Sequence, residues 1–191
     1  MGKQVDLMAF SIETERLYLR RLELGDIDDI YSIAEVPSTA KHLKGLAELS
    51  VEGVKQFIEF HREHLPHDLG LCFDLAIELK DENKVIGLVS LINNEHQQGQ
   101  LGFVLNVLYQ RQGFASEAVR AVITFGFKEL HLHRIFAQMD RKNISSWMLL
   151  ERVGMRREAF FQHDRFEEGE WHDTFIYAIL EDEWREDYSG I

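Results

Sequence analysis

The sequence is poor in cysteine and proline and contains no long hydrophobic run. Cys72 is the one cysteine in 191 residues, which excludes an intrachain disulfide and a thiolate metal site. With two prolines and no repeated or low-complexity segment, residues 1–191 show no linker, and we expect a single domain. No segment approaches the roughly 18 apolar residues of a membrane helix, and the N-terminus lacks the apolar stretch of a signal peptide. We therefore expect a cytoplasmic protein that has no membrane partner.

Positive charge is scarce as well. The chain has 21 Lys and Arg against 33 Asp and Glu, a net charge of −12, which argues against nucleic acid as a partner. The charge is uneven, however, because residues 106–157 hold nine basic and four acidic residues. This segment favours an anionic ligand, and the acidic remainder favours a cationic partner such as an amine. The alternative is that these charges are scattered over solvated faces.

Hydrophobic periodicity predicts an alternating order of helices and strands. The predicted strands are residues 16–22, 71–78, 85–92, 100–105 and 134–139, with two more at 156–161 and 174–180 joined by a polar, acidic loop. The predicted helices are residues 27–34, ended by Pro37, 51–64, capped by Ser50, 114–130 and 145–152. This order indicates an α+β fold with a mixed, mostly antiparallel sheet of about seven strands and about four helices.

The segment QRQGFA at residues 110–115 lies between a predicted strand and the long predicted helix. Gly113 lets the backbone approach a ligand closely, and the free N–H groups of the first helical turn favour a phosphate or diphosphate. Arg111 adds a full positive charge. The segment is neither a dinucleotide-binding G-x-G-x-x-G nor a Walker loop. A strand-to-helix turn that merely needs one glycine is the alternative interpretation.

Several motifs beside this loop occur in the order typical of one family. NISSWMLLERVGM at residues 143–155 is similar to a run of the form Asn-x-x-Ser-x-x-apolar-Leu-Glu-Lys-apolar-Gly-Phe. LHR at 132–134, ETERLYLR at 13–20 and GEWHD at 169–173 match further family patterns. Together with the loop, they resemble the GNAT acetyltransferase superfamily, in particular its RimJ/RimL-like branch, which acetylates ribosomal-protein N-termini. The resemblance covers about residues 12–180 and implies one acetyltransferase domain.

The resemblance implies a GNAT fold in which the fourth and fifth predicted strands splay apart to receive acetyl-CoA as co-substrate. The pantetheine arm would pair with the fourth strand like an added strand, and a backbone N–H near Leu105 would stabilise the oxyanion. Asn143 would contact the pantetheine or only cap a helix, and Arg152, in place of the usual Lys, would face the 3′-phosphate. The expected cofactor-binding residues are Phe103, Val104, Leu105, Gln110, Arg111, Gln112, Gly113, Phe114, Ala115, Ser116, Asn143, Ser146 and Arg152.

Two residues are candidates for catalysis, both by the same resemblance. Ser146 would protonate the leaving thiol, although a serine one turn into a helix also serves as a cap or cofactor contact. Glu158 would act as base or substrate anchor, and a solvated strand charge is its alternative interpretation. A tyrosine acid that many members use is excluded, since Leu150 occupies that position.

The acceptor is expected to be a primary amine, most plausibly the α-amine of a protein or peptide. An α-amine has a pKa near 8 and needs little help from a base, whereas a lysine near 10.4 needs a well-placed carboxylate, and the fourth strand offers none. A small-molecule amine and a non-catalytic acyl-CoA sensor remain alternatives, as does a plain phosphate- or nucleotide-binding protein. We expect no metal, because Pro66 interrupts the series His61, His64 and His67, and we expect a monomer or homodimer.

Overall fold

The computed structural model describes residues 10–36, 39 and 50–185. In chain order its strands are β1 (Ser11–Glu13), β2 (Leu17–Arg21), β3 (Cys72–Leu79), β4 (Lys84–Asn94), β5 (Gln98–Leu105), β6 (Arg134–Asp140), β7 (Arg156–Glu167) and β8 (Glu170–Leu180). Its α-helices are α1 (Ile27–Ala34), α2 (Val51–His61), α3 (Phe114–Lys128) and α4 (Ile144–Arg152). The α+β class is confirmed. None of the helices in this part of the chain is long and apolar enough to cross a membrane.

The eight strands form one sheet in the order β1-β2-β3-β4-β5-β6-β8-β7. All neighbours are antiparallel except β5 and β6, which run parallel and pair only from Gln98 with Arg134 to Gln100 with Phe136. Beyond Gln100 the two strands separate, while β5 keeps its partner β4 as far as Leu105. The predicted splaying of these two strands is confirmed, and it opens a gap in the middle of the sheet.

Helices cover both faces of the sheet, and side-chain alternation along the strands separates the two sets of contacts. The larger core cluster packs α3 and α4 against one face, with Ile123 and Leu150 fully buried. The smaller cluster packs α1 and α2 against the other face through residues such as Ile30 and Ile58. Ser50 starts α2 as predicted, because its side chain accepts a hydrogen bond from the Gly53 N–H.

Two predictions of secondary structure were wrong. The expected acidic loop between the last two strands is a long hairpin, in which β7 and β8 meet at a turn containing Gly169 at φ 83°. The pairing shifts register twice along β7, and that strand is exposed at most positions, so it lacks the alternation that marks a strand. The short edge strand β1 was also missed. The expected helix end at Pro37 lies outside the described residues.

Candidate active site

A cleft of about 420 Å³ occupies the gap between β5 and β6. Its wall residues on β5 alternate, since Leu101 and Phe103 belong to the core under α3 whereas Gly102 points to the opposite face. The lining on β5 therefore includes residues from both faces of the sheet. Its lining consists of Leu101, Gly102, Phe103, Ala137, Gln138, Met139, Asp140, Lys142, Asn143, Ser146, Arg165, Glu167, Glu168 and His172.

The predicted phosphate loop leads directly from the end of β5 into α3. Gly113 is the N-cap of α3 and has a φ of 87°, a left-handed conformation that favours glycine. Helical hydrogen bonding starts with the Glu117 N–H, which bonds to the Gly113 carbonyl oxygen. In the described part of the chain, the N–H groups of residues 114–116 have no acceptor. These donors and the positive end of the helix dipole suit a diphosphate, and the exposed Arg111 lies beside them.

Arg16, which sequence reasoning did not assign to the site, holds this loop in place. Its guanidinium donates to the Gln112 carbonyl oxygen at 3.0 Å and lies 4.3 Å from the ring centre of Phe114. It also pairs with Glu117 at 2.7 Å. Burial, the largest single effect, raises the pKa of Glu117, but hydrogen bonds from Thr14 and Arg16 outweigh it and lower the pKa. Arg16 belongs to the ETERLYLR motif, and this motif was the one feature of the sequence that could have indicated its contact with the loop.

The free edge of β5 is available for strand addition. Phe103, Val104 and Leu105 pair with β4 on one side only, since β6 has diverged by this point. The Gln110 side chain donates to the Leu105 carbonyl oxygen at 3.1 Å and so joins the end of the strand to the phosphate loop. A ligand with amide groups can therefore lie along β5 with one end at the start of α3.

At the start of α4, Asn143 acts as a helix cap. Its side-chain oxygen accepts from the Ser146 N–H at 3.2 Å and from the Ser145 hydroxyl at 3.1 Å. Ser146 is half-buried and lines the cleft, and its hydroxyl makes no hydrogen bond to any described residue. Arg152 is exposed six residues further on, about 9 Å along the helix axis, and does not line the cleft. Leu150 is fully buried.

Glu158 does not line the cleft. Its carboxylate is 2.7 Å from Arg134 and 2.7 Å from Arg156, and these ion pairs lower its pKa, the hydrogen bond from Arg134 having the largest effect. Arg134 is at the start of β6, about 10 Å from Ala137, where the cleft lining on this strand begins, and about 20 Å from Asp140 at its end. The geometry therefore gives no support to a role of Glu158 as base.

The charged groups that do line the cleft come from β6 and the β7–β8 hairpin. Arg165 bonds both Glu167 carboxylate oxygens at 3.0 and 3.1 Å, and its other terminal nitrogen is 3.5 Å from Asp140. His172 Nδ1 is 2.5 Å from Asp140 Oδ2. Sequence reasoning missed this group, because residues 162–173, which hold Arg165, Glu167 and His172, were expected to be a loop between two strands.

A second cluster, His61, Cys72 and Asp74, lies outside the cleft. Its potential ligand atoms are all within 4.8 Å of one another, a separation that metal binding allows. His61 and Asp74 are already in contact at 2.5 Å, however. Burial, together with the neighbouring Asp74, raises the pKa of the Cys72 thiol to about 12, so the thiol is protonated at neutral pH. The contact between His61 Nδ1 and Asp74 Oδ2 does not have hydrogen-bond geometry, and both atoms are buried.

Comparison with known proteins agrees with this geometry. A family model described as "Acetyltransferase (GNAT) domain" matches residues 16–156. The chain is 34% identical to the uncharacterized N-acetyltransferase YnaD of Bacillus subtilis over 91% of its own length and 98% of that protein. It is 29% identical to the ribosomal protein uS5-alanine N-acetyltransferase of Escherichia coli over 66% and 63% of the two chains. A crystal structure of a GNAT-family acetyltransferase from Bacillus anthracis superposes with a TM-score of 0.81 at 30% identity, covering 91% of this chain and all of that one.

Proposed function

The chain belongs to the GNAT acetyltransferase family and is an N-acetyltransferase, and from that premise we propose that it transfers the acetyl group of acetyl-CoA to the α-amine of a peptide or protein N-terminus. The cleft between β5 and β6 is the site of transfer. Two features support this proposal: the free donors at the start of α3, and the pairing of the acidic groups in the cleft.

Acetyl-CoA would enter the cleft from the α3 side. The amides of residues 114–116 and Arg111 would bind its diphosphate, and the free edge of β5 near Phe103 would pair with the amides of the pantetheine arm. The thioester then lies in the gap, next to Ser146. A hydroxyl with no partner among the described residues is available to protonate the leaving thiolate, a role that we keep for Ser146.

The observation that favours an α-amine is that Arg165 pairs with two of the three carboxylates in the cleft lining, Asp140 and Glu167, while the third, Glu168, is exposed. Glu167 is bonded through both oxygens, and Asp140 faces the same guanidinium. A polyamine or lysine substrate brings persistent positive charge and would compete with Arg165 for these acids. An α-amine has a pKa near 8, so roughly a tenth is neutral at pH 7 without any help. The wall formed by β5 adds no carboxylate.

A panel of acceptors tests the proposal. Purified protein and acetyl-CoA are incubated with a peptide beginning in Ala, with the same peptide formylated at its N-terminus but containing a free lysine, and with spermidine. Release of free thiol is followed, and the site of the acetyl group is mapped by mass spectrometry. We expect acetylation of the free peptide at its α-nitrogen only. Turnover with spermidine alone would instead assign a small-molecule amine, and binding of acetyl-CoA without turnover of any amine would contradict the proposal.

A further inference from the structure

His172 and Asp140 form a hydrogen-bonded pair in the wall of the cleft. The Nδ1 to Oδ2 distance is 2.5 Å, and the side chains are 20% and 15% exposed. Both residues line the cleft, whereas His61 and Asp74, which show the same 2.5 Å separation, do not. A third His–Asp contact among the described residues, between His163 and Asp173, is longer, at 3.9 Å, and also lies outside the cleft lining. The His172–Asp140 pair faces the place where we expect the acetyl group.

Asp140 holds the imidazole of His172 in a defined orientation. Its other carboxylate oxygen accepts from the Lys142 N–H at 2.6 Å, so the carboxylate is fixed at both ends. Burial opposes ionisation of Asp140 most strongly, but the Lys142 amide, His172 and Arg165 together lower its pKa and keep it charged. A carboxylate at Nδ1 favours the tautomer that carries its proton there, which leaves a lone pair on Nε2. Nε2 has no hydrogen-bond partner within the described ranges.

The pair and Ser146 approach the gap from opposite faces of the sheet. Ala137 belongs to the core under α3, and Asp140, three residues on, points to the other face, as Gly102 does. Ser146, by contrast, is on α4, which packs on the core side. An acceptor that enters from the Gly102 side meets His172, while the leaving thiol is beside Ser146.

We propose that His172 is the general base of acetyl transfer and that Asp140 is the residue that positions it; this inference rests on the proposed function. Nε2 takes one proton from the α-ammonium group of the acceptor, and the neutral nitrogen attacks the thioester carbonyl. The new C–N bond forms, the C–S bond breaks, the second nitrogen proton passes to the thiolate through Ser146 or solvent, and the imidazolium returns its proton to water. Besides Asp140, the charged groups around the imidazole in the cleft are Lys142, Arg165, Glu167 and Glu168.

The test compares His172→Gln, Asp140→Asn and the control His61→Gln by the pH dependence of kcat/KM with acetyl-CoA and the Ala-starting peptide. A well-placed general base contributes about 10²–10⁴-fold, so we expect His172→Gln to lose about 10²-fold or more at pH 7. The loss should shrink as the pH rises past about 8, because the free amine then no longer needs deprotonation. Asp140→Asn should show the same pH-dependent loss, and His61→Gln, whose melting temperature is checked, should retain wild-type activity.

Three results would overturn this assignment. The first is wild-type activity in His172→Gln. The second is a loss of kcat/KM in His172→Gln that stays constant with pH and comes only from a raised KM for the peptide, which would indicate a binding contact. The third is an equal loss in His61→Gln at unchanged folding. Titration of the wild type with acetyl-CoA distinguishes these results from failure of the proposed function. If the wild type binds acetyl-CoA but never acetylates the peptide, the α-amine is not the acceptor, and the assignment of His172 as its base fails as well. Recovery of His172→Ala by added imidazole would support the assignment.

Discussion

Replacing Gly113 with aspartate should weaken CoA binding by more than tenfold while the protein stays folded. Gly113 begins α3, so a carboxylate here lies beside the N–H groups of residues 114–116 that we expect to hold the diphosphate. Any side chain is strained at the φ of 87° that Gly113 adopts, but aspartate is one of the few residues that visit the left-handed region, and the two control variants below carry the same kind of strain. A new Cβ would be 3.2 Å from a terminal nitrogen of Arg16, the flexible end of a long side chain.

The size of the effect follows from Coulomb's law. Two unit charges about 5 Å apart near a protein surface, at an effective dielectric constant of about 20, repel by about 3 kcal/mol. Physiological salt, with a Debye length of about 8 Å, reduces this repulsion roughly by half. Since about 1.4 kcal/mol corresponds to a factor of ten, the remaining repulsion weakens binding by about tenfold or more. Gly113→Ala has the same backbone without the charge and should lose much less affinity.

Isothermal titration calorimetry with CoA measures this difference directly. The matched control is Gly70→Asp, since Gly70 also has a positive φ, 74°, and has open space around it away from the cleft. We expect Gly70→Asp to bind CoA as the wild type does and to melt at a temperature similar to that of Gly113→Asp. Equal affinities of Gly113→Asp and wild type would refute the assignment of the diphosphate to the start of α3.

Three further predictions concern the core, acid stability and the choice of base. Ile123 is fully buried, so Ile123→Ala should lower the free energy of unfolding in urea by about 2–5 kcal/mol, whereas the exposed Ile144→Ala should change it little. Glu117 has a lowered pKa, so its ion pair with Arg16 stabilises the fold above pH 4.5, and this stabilisation is lost as the pH falls below that value. In Glu117→Gln the melting temperature should therefore decrease less on acidification than it does in the wild type. Glu158→Gln should retain kcat/KM close to that of the wild type, and a large loss would restore Glu158 as the candidate base.

The phosphate loop and the long helix could be predicted from the sequence because their signals are local. Helical spacing of apolar residues defines α3, and a glycine just before it supplies the left-handed N-cap. The splaying of β5 and β6 was implied by the family resemblance and was not readable from either strand alone. It arises because pairing stops after Gln100, a fact of register between distant segments.

The His172–Asp140 pair could not be predicted because it depends on strand pairing across the sheet. Asp140 lies opposite Thr174 in the β6–β8 ladder, which brings the side chain of His172 to it over 32 residues of sequence. The same ladder places Arg134 at the far end of β6, where it pairs with Glu158. The one local signal was the histidine within the GEWHD motif. Because a loop was expected at this motif, His172 was not assigned to the wall of the cleft.

A crystal structure of the protein with CoA would show directly where the cofactor binds. We expect the diphosphate on the amides of residues 114–116, the pantetheine arm along β5 near Phe103, and the sulfur in the gap with Ser146 on one side and His172 on the other. CoA bound at another surface, or in the cleft with its sulfur directed away from the gap, would contradict this expectation.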